Sequence, residues 1–442
     1  MVDTSGDDVA RRPGAMARHV PVWARALPQL RAPAVSAVAG ALALACLLAV
    51  PAGERSPSGG ASANPAGPDP SSAADAPGAR DDRAAADRPP PAAPPTTPPP
   101  RSFTLVAAGD VLLHSPLWEQ ARADAAAAGL PGHDFRPLLA GVKPLVSGAD
   151  VAVCHLETPL APAGGPYAGY PAFSVPPEIA PALADTGFDV CSTASNHTYD
   201  RGADGVDRTL AGLDAAGIRH AGSARDPAEA NAVTLVPAGE ARMALLSYTY
   251  GFNGIAAPGG EAWRSNPIDG ARIRADAARA RAAGADVVVV ALHWGLEYQH
   301  EPNDQQRTLG PALVRSPDVD LVIGHHAHVV QPIEQVDGEW VVYGMGNFVA
   351  HQSTARPRTE EGLLVRFTFT EGEAGWRATA AEYAPLLVER AAPPVRLIAV
   401  GAALAAGGDP ARRARLQQAW DTSVAVVGSL GASDHGLRPI GG

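Results

Sequence analysis

Asp318-Val-Asp-Leu-Val-Ile-Gly-His-His-Ala-His-Val-Val330 is a short apolar, β-branched run that stops at a glycine and then presents three histidines. Hydrophobic residues between turn signals predict a buried strand that ends at Gly324. Because side chains alternate along a strand, we expect His326 and His328 to point the same way while Ala327 points the other way. Two imidazoles directed into one space suit a transition metal. A histidine cluster in a polar loop is the alternative interpretation.

Similar strands recur from Phe103 onward, and they alternate with turns and Ala-rich helices, which favours an α/β architecture. The strand candidates span residues 104–108, 151–154, 190–193, 243–248, 287–292, 321–323 and 340–343. The helix candidates span residues 118–128, 179–185, 206–216 and 271–283. Past Phe348, we expect mixed β segments at 363–370 and 378–387 and a peripheral helical stretch at 410–430.

Nearly every predicted strand ends in polar residues of metal-ligand type. These residues are, in chain order, Asp110 with His114, His155 with Glu157, Asn196 with His197 and Asp200, His293 with Glu297, and His325 with His326 and His328. Each pair alone is most often a turn or a satisfied polar residue. Open α/β sheets, however, bind ligands beyond the carboxyl ends of their strands. The series therefore predicts a mixed oxygen and nitrogen site for Mn, Fe or Zn, and the lack of thiolates argues against a closed structural zinc site.

The joined motifs resemble those of the CapA-type poly-γ-glutamate capsule-synthesis proteins, relatives of the calcineurin-like metallophosphoesterases. The motifs are Gly109-Asp110, Leu156-Glu157, Ala194-Ser-Asn-His197 with Asp200 and Gly202, His293-Trp-Gly-x-Glu-Tyr298, Gly324-His-His-x-His-Val329 and Tyr343-x-Met-Gly-Asn-Phe348. The resemblance covers residues 103–348. It implies a four-layer α/β/β/α sandwich, in which two stacked sheets are flanked by helices and a site for two divalent metal ions lies at one edge.

The resemblance also implies a role for each matched residue. Asp110 would be a ligand and Glu157 the carboxylate that bridges two metals, and His197 would be the acid that faces a leaving group. The remaining ligands would be Asn196, His293, His326 and His328, with His114, His155, Asp200, Glu297, His325, Arg307 and Asn347 as additional candidates. The chain departs from the family pattern in three places: His155 replaces a more usual Asn, Ala327 a usual Pro, and Leu112 a histidine of the broader phosphoesterases, for which His114 is the candidate substitute.

The N-terminal region predicts export of the domain that begins near residue 102. A basic segment, 1–31, carries five arginines and precedes an apolar stretch, 32–52, whose length suits a transmembrane helix. Arginines on the N-terminal flank place that side in the cytoplasm, so we expect a single-pass anchor with the catalytic domain outside the cell. A signal peptide cleaved after Ala49 or Ala52 and a lipid-attached Cys46 are the alternatives.

Residues 53–101 consist mainly of Pro, Ala, Ser, Gly and Asp, a composition that predicts a disordered, partly extended stalk. A CapA-like metallophosphatase domain is expected at 102–390, and a partly helical C-terminal extension at 391–442. Cys154 and Cys191 are expected at the ends of apolar strands, where cysteine behaves as a small hydrophobe. An exported domain could oxidise them, provided that their Cα atoms approach within about 7 Å.

The composition limits the function further. With 46 acidic and 35 basic residues, the formal charge is -11, which argues against a nucleic-acid binder. The family resemblance implies a setting in poly-γ-glutamate synthesis or export. Together with the predicted export and the predicted metal site, it leads us to expect a cell-surface protein that hydrolyses a phosphate ester or a related anionic bond. Its expected partners are an anionic polymer or phosphorylated substrate, the membrane through the N-terminal helix, and capsule-synthesis membrane proteins. The alternatives are a non-catalytic polymer-binding or assembly component and a centre that cleaves amide or γ-glutamyl linkages.

Overall fold

A computed structural model describes residues 100–353, 355–356 and 358–441 of the 442-residue chain. The predicted basic segment 1–31, the apolar segment 32–52 and the stalk up to residue 99 lie outside these described residues. Among the helices of the described part, none combines the length and the hydropathy that crossing a bilayer requires.

Strands and helices alternate through most of the described chain. The strands are β1 Ser102–Leu112, β2 Val151–Leu156, β3 Val190–Ser192, β4 Arg219–Ala221, β5 Thr234–Ala238, β6 Ala241–Thr249, β7 Val287–His293, β8 Leu321–His325, β9 Ile333–Val336, β10 Glu339–Val342, β11 Asn347–Ala350, β12 Glu361–Gly372, β13 Gly375–Glu389, β14 Arg396–Ala399 and β15 Arg438–Pro439. The helices are α1 Ser115–Ala127, α2 Arg136–Leu139, α3 Lys143–Val146, α4 Ile179–Thr186, α5 Gly202–Ala215, α6 Pro227–Asn231, α7 Gly270–Ala282, α8 Asp304–Val314, α9 Val400–Ala405 and α10 Pro410–Val427. Short 3-10 turns span 258–260, 262–264, 428–430 and 432–435.

The strands form two mixed sheets, which confirms the predicted α/β class. The first sheet has the order β14-β13-β12-β1-β2-β3-β4, with β11 beside the end of β1 and β15 beside β13. The second has the order β5-β6-β7-β8-β10-β9. In the first sheet β1, β2 and β3 are parallel, and in the second β6, β7 and β8 are parallel, so each sheet collects several carboxyl ends at one edge.

Apolar side chains fill the space on both faces of each sheet. Leu105 of β1 and Val289 of β7 belong to a shared core between the two sheets. Their neighbours Val106 and Val288 point the opposite way, as strand alternation requires. Val106 joins a core with side chains of α1 and α4, and Val288 joins one with side chains of α7 and α8. The packing order is therefore helix, sheet, sheet, helix.

The C-terminal segment after residue 390 adds to the first sheet. It is partly helical, with α9 and α10, and it also supplies β14, which pairs with the end of β13, and β15, which pairs with the middle of β13 at Glu382 and Tyr383. Leu416 and Ala419 of α10 are buried in a small cluster with Leu387 of β13.

Cys154 and Cys191 form a disulfide between β2 and β3, with Cα atoms 4.4 Å apart. They are register partners on these parallel strands, and each directly precedes a residue of the strand-end edge, His155 and Ser192. The sequence left the pairing open, since only the docking of the two strands brings the cysteines together.

Replacing both Cys154 and Cys191 with alanine is expected to lower the free energy of unfolding by about 2–4 kcal/mol, because the bridge closes a loop with a sequence separation of 37 residues. Denaturant unfolding, with the wild-type protein compared with and without reductant, measures the change. Identical unfolding midpoints for the double variant and the oxidised wild-type protein would contradict this expectation.

Candidate metal centre

Asp110 lies at a bulge in β1, where the strand leaves its antiparallel partner β12 and pairs in parallel with β11. Its buried carboxylate lies 3.1 Å from His325 Nδ1 and 3.2 Å from His328 Nδ1, and it accepts the backbone N–H of His326 at 3.2 Å. Burial alone would raise the pKa of Asp110, but the hydrogen bonds from the two histidines hold it well below its usual range. The predicted strand end at Asp110 was wrong, because β1 continues to Leu112.

Residues 326–328 lie in a turn. The prediction that their side chains alternate as in a strand was therefore wrong. Strand β8 ends at His325, one residue later than predicted, and His326 and His328 adopt positive φ angles of 88° and 57°. Both imidazoles still face one space, because two left-handed residues reverse the chain locally. Gly324 is required at the strand end, since a Cβ atom there would collide with the Tyr343 carbonyl oxygen.

His155 and His293 lie at the ends of β2 and β7 and connect the two sheets. His155 Nδ1 lies 2.8 Å from Ser192 Oγ, and His155 Nε2 lies 3.0 Å from His293 Nδ1. His293 Nε2 lies 2.9 Å from Asn196 Oδ1. Burial lowers the pKa of both histidines well below the usual range, and that of His326 to about 3. Neutral imidazoles at neutral pH are the form that binds a metal ion.

Glu157 lies just beyond β2 and has the least satisfied side chain at this edge. Both of its carboxylate oxygens are buried and have no hydrogen-bond partner among the described residues. Its backbone is fixed, because its carbonyl accepts from Ser195 Oγ at 2.7 Å and its N–H donates to Val111 O at 3.3 Å. Burial raises the pKa of Glu157 well above its usual range. A buried, unpaired carboxylate is costly unless a cation or donor meets it.

Three sets of ligand atoms lie close enough to hold a cation, and they overlap. Within each set, one atom per residue lies within 4.8 Å of the others; the sets are Asp110 with His155 and His293, Asp110 with Glu157 and His328, and Glu297 with His326 and His328. His325 Nε2 and His326 Nδ1 are also buried without a partner among the described residues. Carboxylates and neutral imidazoles suit Mn, Fe or Zn, so these residues fit a metal centre.

His197 lies beside this centre and pairs with Asp200. His197 Nδ1 lies 2.8 Å from Asp200 Oδ2, which also accepts the backbone N–H of Phe173 at 2.7 Å. The Phe173 ring meets the imidazole edge-on, with centroids 4.8 Å apart. The described residues supply no hydrogen-bond partner for Nε2. An imidazole oriented through one nitrogen and open at the other has the arrangement of a general acid or base.

The other candidate residues have different surroundings. His114 Nδ1 lies 3.2 Å from Leu112 O and accepts the backbone N–H of His351 at 3.3 Å, and it belongs to none of the three ligand sets. Asn347 Oδ1 lies 3.1 Å from His328 Nδ1, so this amide orients a histidine. Arg307 hydrogen-bonds Glu301 and the carbonyl of Pro302, both in the loop before α8.

Two residues at this edge escaped the sequence analysis. Ser192 holds His155, and Tyr250, the first residue after β6, places its ring 4.5 Å from that of His326. Neither serine nor tyrosine is a common metal ligand, so the pattern of ligand types at the strand ends passes over both. Tyr250 lies two residues after the predicted strand 243–248, and that position near a strand end was the available signal.

Metal binding is expected to release about one proton at pH 7 and to tighten as the pH rises. Burial would lower the pKa of His328, but the carboxylates of Glu157 and Asp110 raise it to about 9, and burial raises the pKa of Glu157. At neutral pH this pair, whose atoms lie 3.9 Å apart, holds a proton that a metal must displace. Titration calorimetry in two buffers of different ionisation enthalpy measures the release; equal binding enthalpies in both would contradict it.

Comparison with known proteins agrees with the motif resemblance. Residues 104–352 match the family model for the bacterial capsule synthesis protein PGA_cap. The PGA biosynthesis protein CapA of Bacillus subtilis (strain 168) is 30% identical over 211 residues, which cover 45% of this chain and 51% of that protein. The capsule biosynthesis protein CapA of Bacillus anthracis is 30% identical over 193 residues, which cover 43% of this chain and 46% of that protein.

The chain thus spans about half the length of the curated relatives it matches. Among solved structures, the calcineurin-like phosphoesterase YfkN from Bacillus subtilis is similar, with a TM-score of 0.41 and 13% sequence identity. The alignment covers 74% of this chain and 98% of that one.

Proposed function

This chain belongs to the bacterial capsule synthesis protein family PGA_cap, and from that membership we propose that it is a cell-surface protein of poly-γ-glutamate synthesis or export. We propose further that it is a hydrolase, which cleaves a phosphate ester or a related anionic bond at a centre for two divalent metal ions. The observation that carries the enzymatic part is Glu157, whose two buried carboxylate oxygens have no partner among the described residues and lie close to Asp110 and the imidazole of His328.

The residues of the centre would have different roles in binding the metal ions. Asp110 and Glu157 supply negative charge, and Asn196, His293, His326 and His328 supply the remaining donors for the ions. Bound there, two cations would supply Lewis acidity and lower the pKa of a water molecule. His155 and Asn347 hold His293 and His328 in position through hydrogen bonds of 3.0 and 3.1 Å.

His197 would act on the leaving group. Asp200 holds Nδ1, so a proton carried on Nε2 is the one that can pass to a departing oxygen. The site needs no thiol, and Cys154 and Cys191 are held in their disulfide.

Metal analysis together with a phosphoesterase screen tests the proposal. Purified protein supplemented with Mn, Fe or Zn is expected to retain about two ions and to hydrolyse phosphate mono- or diesters, since two-metal centres stabilise both the attacking and the departing oxygen. Protein that binds metal and poly-γ-glutamate yet hydrolyses nothing would identify a polymer-binding component instead. Protein that binds no metal would overturn the metal centre.

We propose that the domain works outside the cytoplasm. The arginine-rich flank before the apolar segment 32–52 and the disulfide between Cys154 and Cys191 support this location, because disulfides persist in oxidising compartments. Protease added to intact cells is expected to cut within 53–101 and release the folded domain. A domain that is cut only after lysis would contradict the proposed location.

A further inference from the structure

Tyr250 is a partly exposed side chain beside two buried candidate ligands, His293 and His326. Its backbone N–H donates to the carbonyl of His293 at 2.9 Å, which ties the end of β6 to the end of β7. Its ring is tilted against that of His326, with centroids 4.5 Å apart, and is nearly parallel to that of His293, at 11° and 6.2 Å. The tyrosine therefore covers one side of two candidate ligands.

The exposure of Tyr250 differs from that of the residues it covers. Tyr250 is 45% exposed, whereas His293 and His326 are 1% and 4% exposed. Leu296, which directly precedes the candidate ligand Glu297, is also exposed, at 49%. Large side chains left open beside a polar centre commonly mark a surface that contacts a ligand.

Tyr298, a second tyrosine next to the centre, is already in contact with other side chains of the protein. Its ring lies 6.1 Å from that of His328, and the guanidinium of Arg356 covers it at 4.5 Å. Its hydroxyl accepts from Gln352 Nε2 at 3.4 Å. Of these two tyrosines, Tyr250 is the one whose ring keeps a large exposed area for an incoming group.

We propose that Tyr250 contacts the carbon-bearing group of the substrate, so that the centre prefers organic phosphate esters to inorganic phosphates. This inference rests on the proposed function and names its substrate class. The phosphate of such a substrate would bind among the imidazoles and carboxylates of the candidate metal centre. Its organic group would lie against the exposed face of the Tyr250 ring. Aromatic and apolar groups gain affinity from such contact, whereas a bare phosphate has no carbon surface to offer.

The experiment measures binding, with phenylphosphonate, methylphosphonate and inorganic phosphate as probes of the metal-loaded full-length protein in titration calorimetry. The wild-type protein is expected to prefer phenylphosphonate to phosphate, and Tyr250→Ala to lose about tenfold in affinity for phenylphosphonate alone. Tyr250→Phe keeps the ring and is expected to stay within about twofold of the wild-type protein. Leu130→Ala is the matched control, since Leu130 is 43% exposed and lies beyond α1.

The outcomes separate this inference from the proposed function. An equal loss for all three probes in Tyr250→Ala, or no loss, overturns the role of Tyr250 while the proposed function stands. Wild-type protein that holds metal and binds none of the probes overturns the proposed function, and the substrate class with it. Metal content and melting temperature, measured on each variant, are expected to match those of the wild-type protein; a Tyr250→Phe variant that loses metal would assign the tyrosine a structural role and overturn the proposal.

Discussion

Glu157→Gln is expected to lose most of the bound metal and to lower turnover by about three orders of magnitude, while the fold remains. The amide has the shape of the carboxylate but lacks its charge, and a metal-held oxyanion is worth several kcal/mol in the transition state. The fold is expected to tolerate the change, because neither carboxylate oxygen makes a hydrogen bond to the described residues. Metal analysis, a phosphoesterase assay and thermal unfolding on one preparation measure all three effects.

Glu339→Gln is the matched control for this substitution. Glu339 also has a buried carboxylate oxygen, Oε2, without a partner among the described residues, and burial raises its pKa to about 7. It begins β10, which runs parallel to β8 with Trp340 opposite Leu321, so it lies at the edge away from the strand carboxyl ends. The control is expected to keep its metal and its turnover. Glu157→Gln that retains metal at the wild-type level would remove Glu157 from the centre.

His197→Asn is expected to leave the metal content unchanged and to slow the release of a poor leaving group by about 10²–10⁴-fold. An activated ester, whose leaving group departs without a proton, should slow much less. The physical reason is the pairing of Nδ1 with Asp200, which leaves Nε2 to carry the transferred proton. The measurement is the steady-state turnover of a nitrophenyl phosphate ester and an alkyl phosphate ester by the wild-type protein and by His197→Asn. The loss of turnover on each ester is then compared.

His220→Asn controls for the loss of a buried histidine. His220 is 9% exposed at its side chain, as against 8% for His197, and its Nε2 lies 3.2 Å from an Asp214 carboxylate oxygen. It lies on β4 at the edge of the first sheet, and its substitution is expected to slow neither ester. Equal and modest losses on both esters in His197→Asn, or loss of metal, would assign His197 to the loop structure.

The strands and the family could be predicted from the sequence because they depend on local patterns. Apolar β-branched runs predict the bounds of β7 and β8 to within one or two residues. The family resemblance based on the spaced motifs is confirmed by the family match over residues 104–352. Orientation at the site depends instead on backbone turns. The positive φ angles of His326 and His328 cannot be predicted from alternating apolar and polar residues. The bulge at Asp110 arises because β1 changes its strand partner there.

The finer geometry of the site depends on which strands lie side by side. His155 and Ser192 meet because β2 and β3 are neighbours, and the same neighbourhood pairs Cys154 with Cys191. No pattern within either strand specifies that contact. Residues whose role is to hold others in place, such as Ser192, therefore appear only once the sheet order is known.

The contacts of Asp110 also constrain how the molecule matures. They join it to His325 and His328, residues 215 and 218 positions further along the chain. A chain that has emerged only as far as β7 carries Asp110, His155, Glu157 and His293 but lacks His326 and His328, which complete the other two ligand sets. These distant segments of the chain must come together before the centre can form. The packing of the two sheets offsets the entropic cost of bringing them together. Metal retained by both parts of the proposed centre would thus distinguish complete, folded molecules from truncated ones.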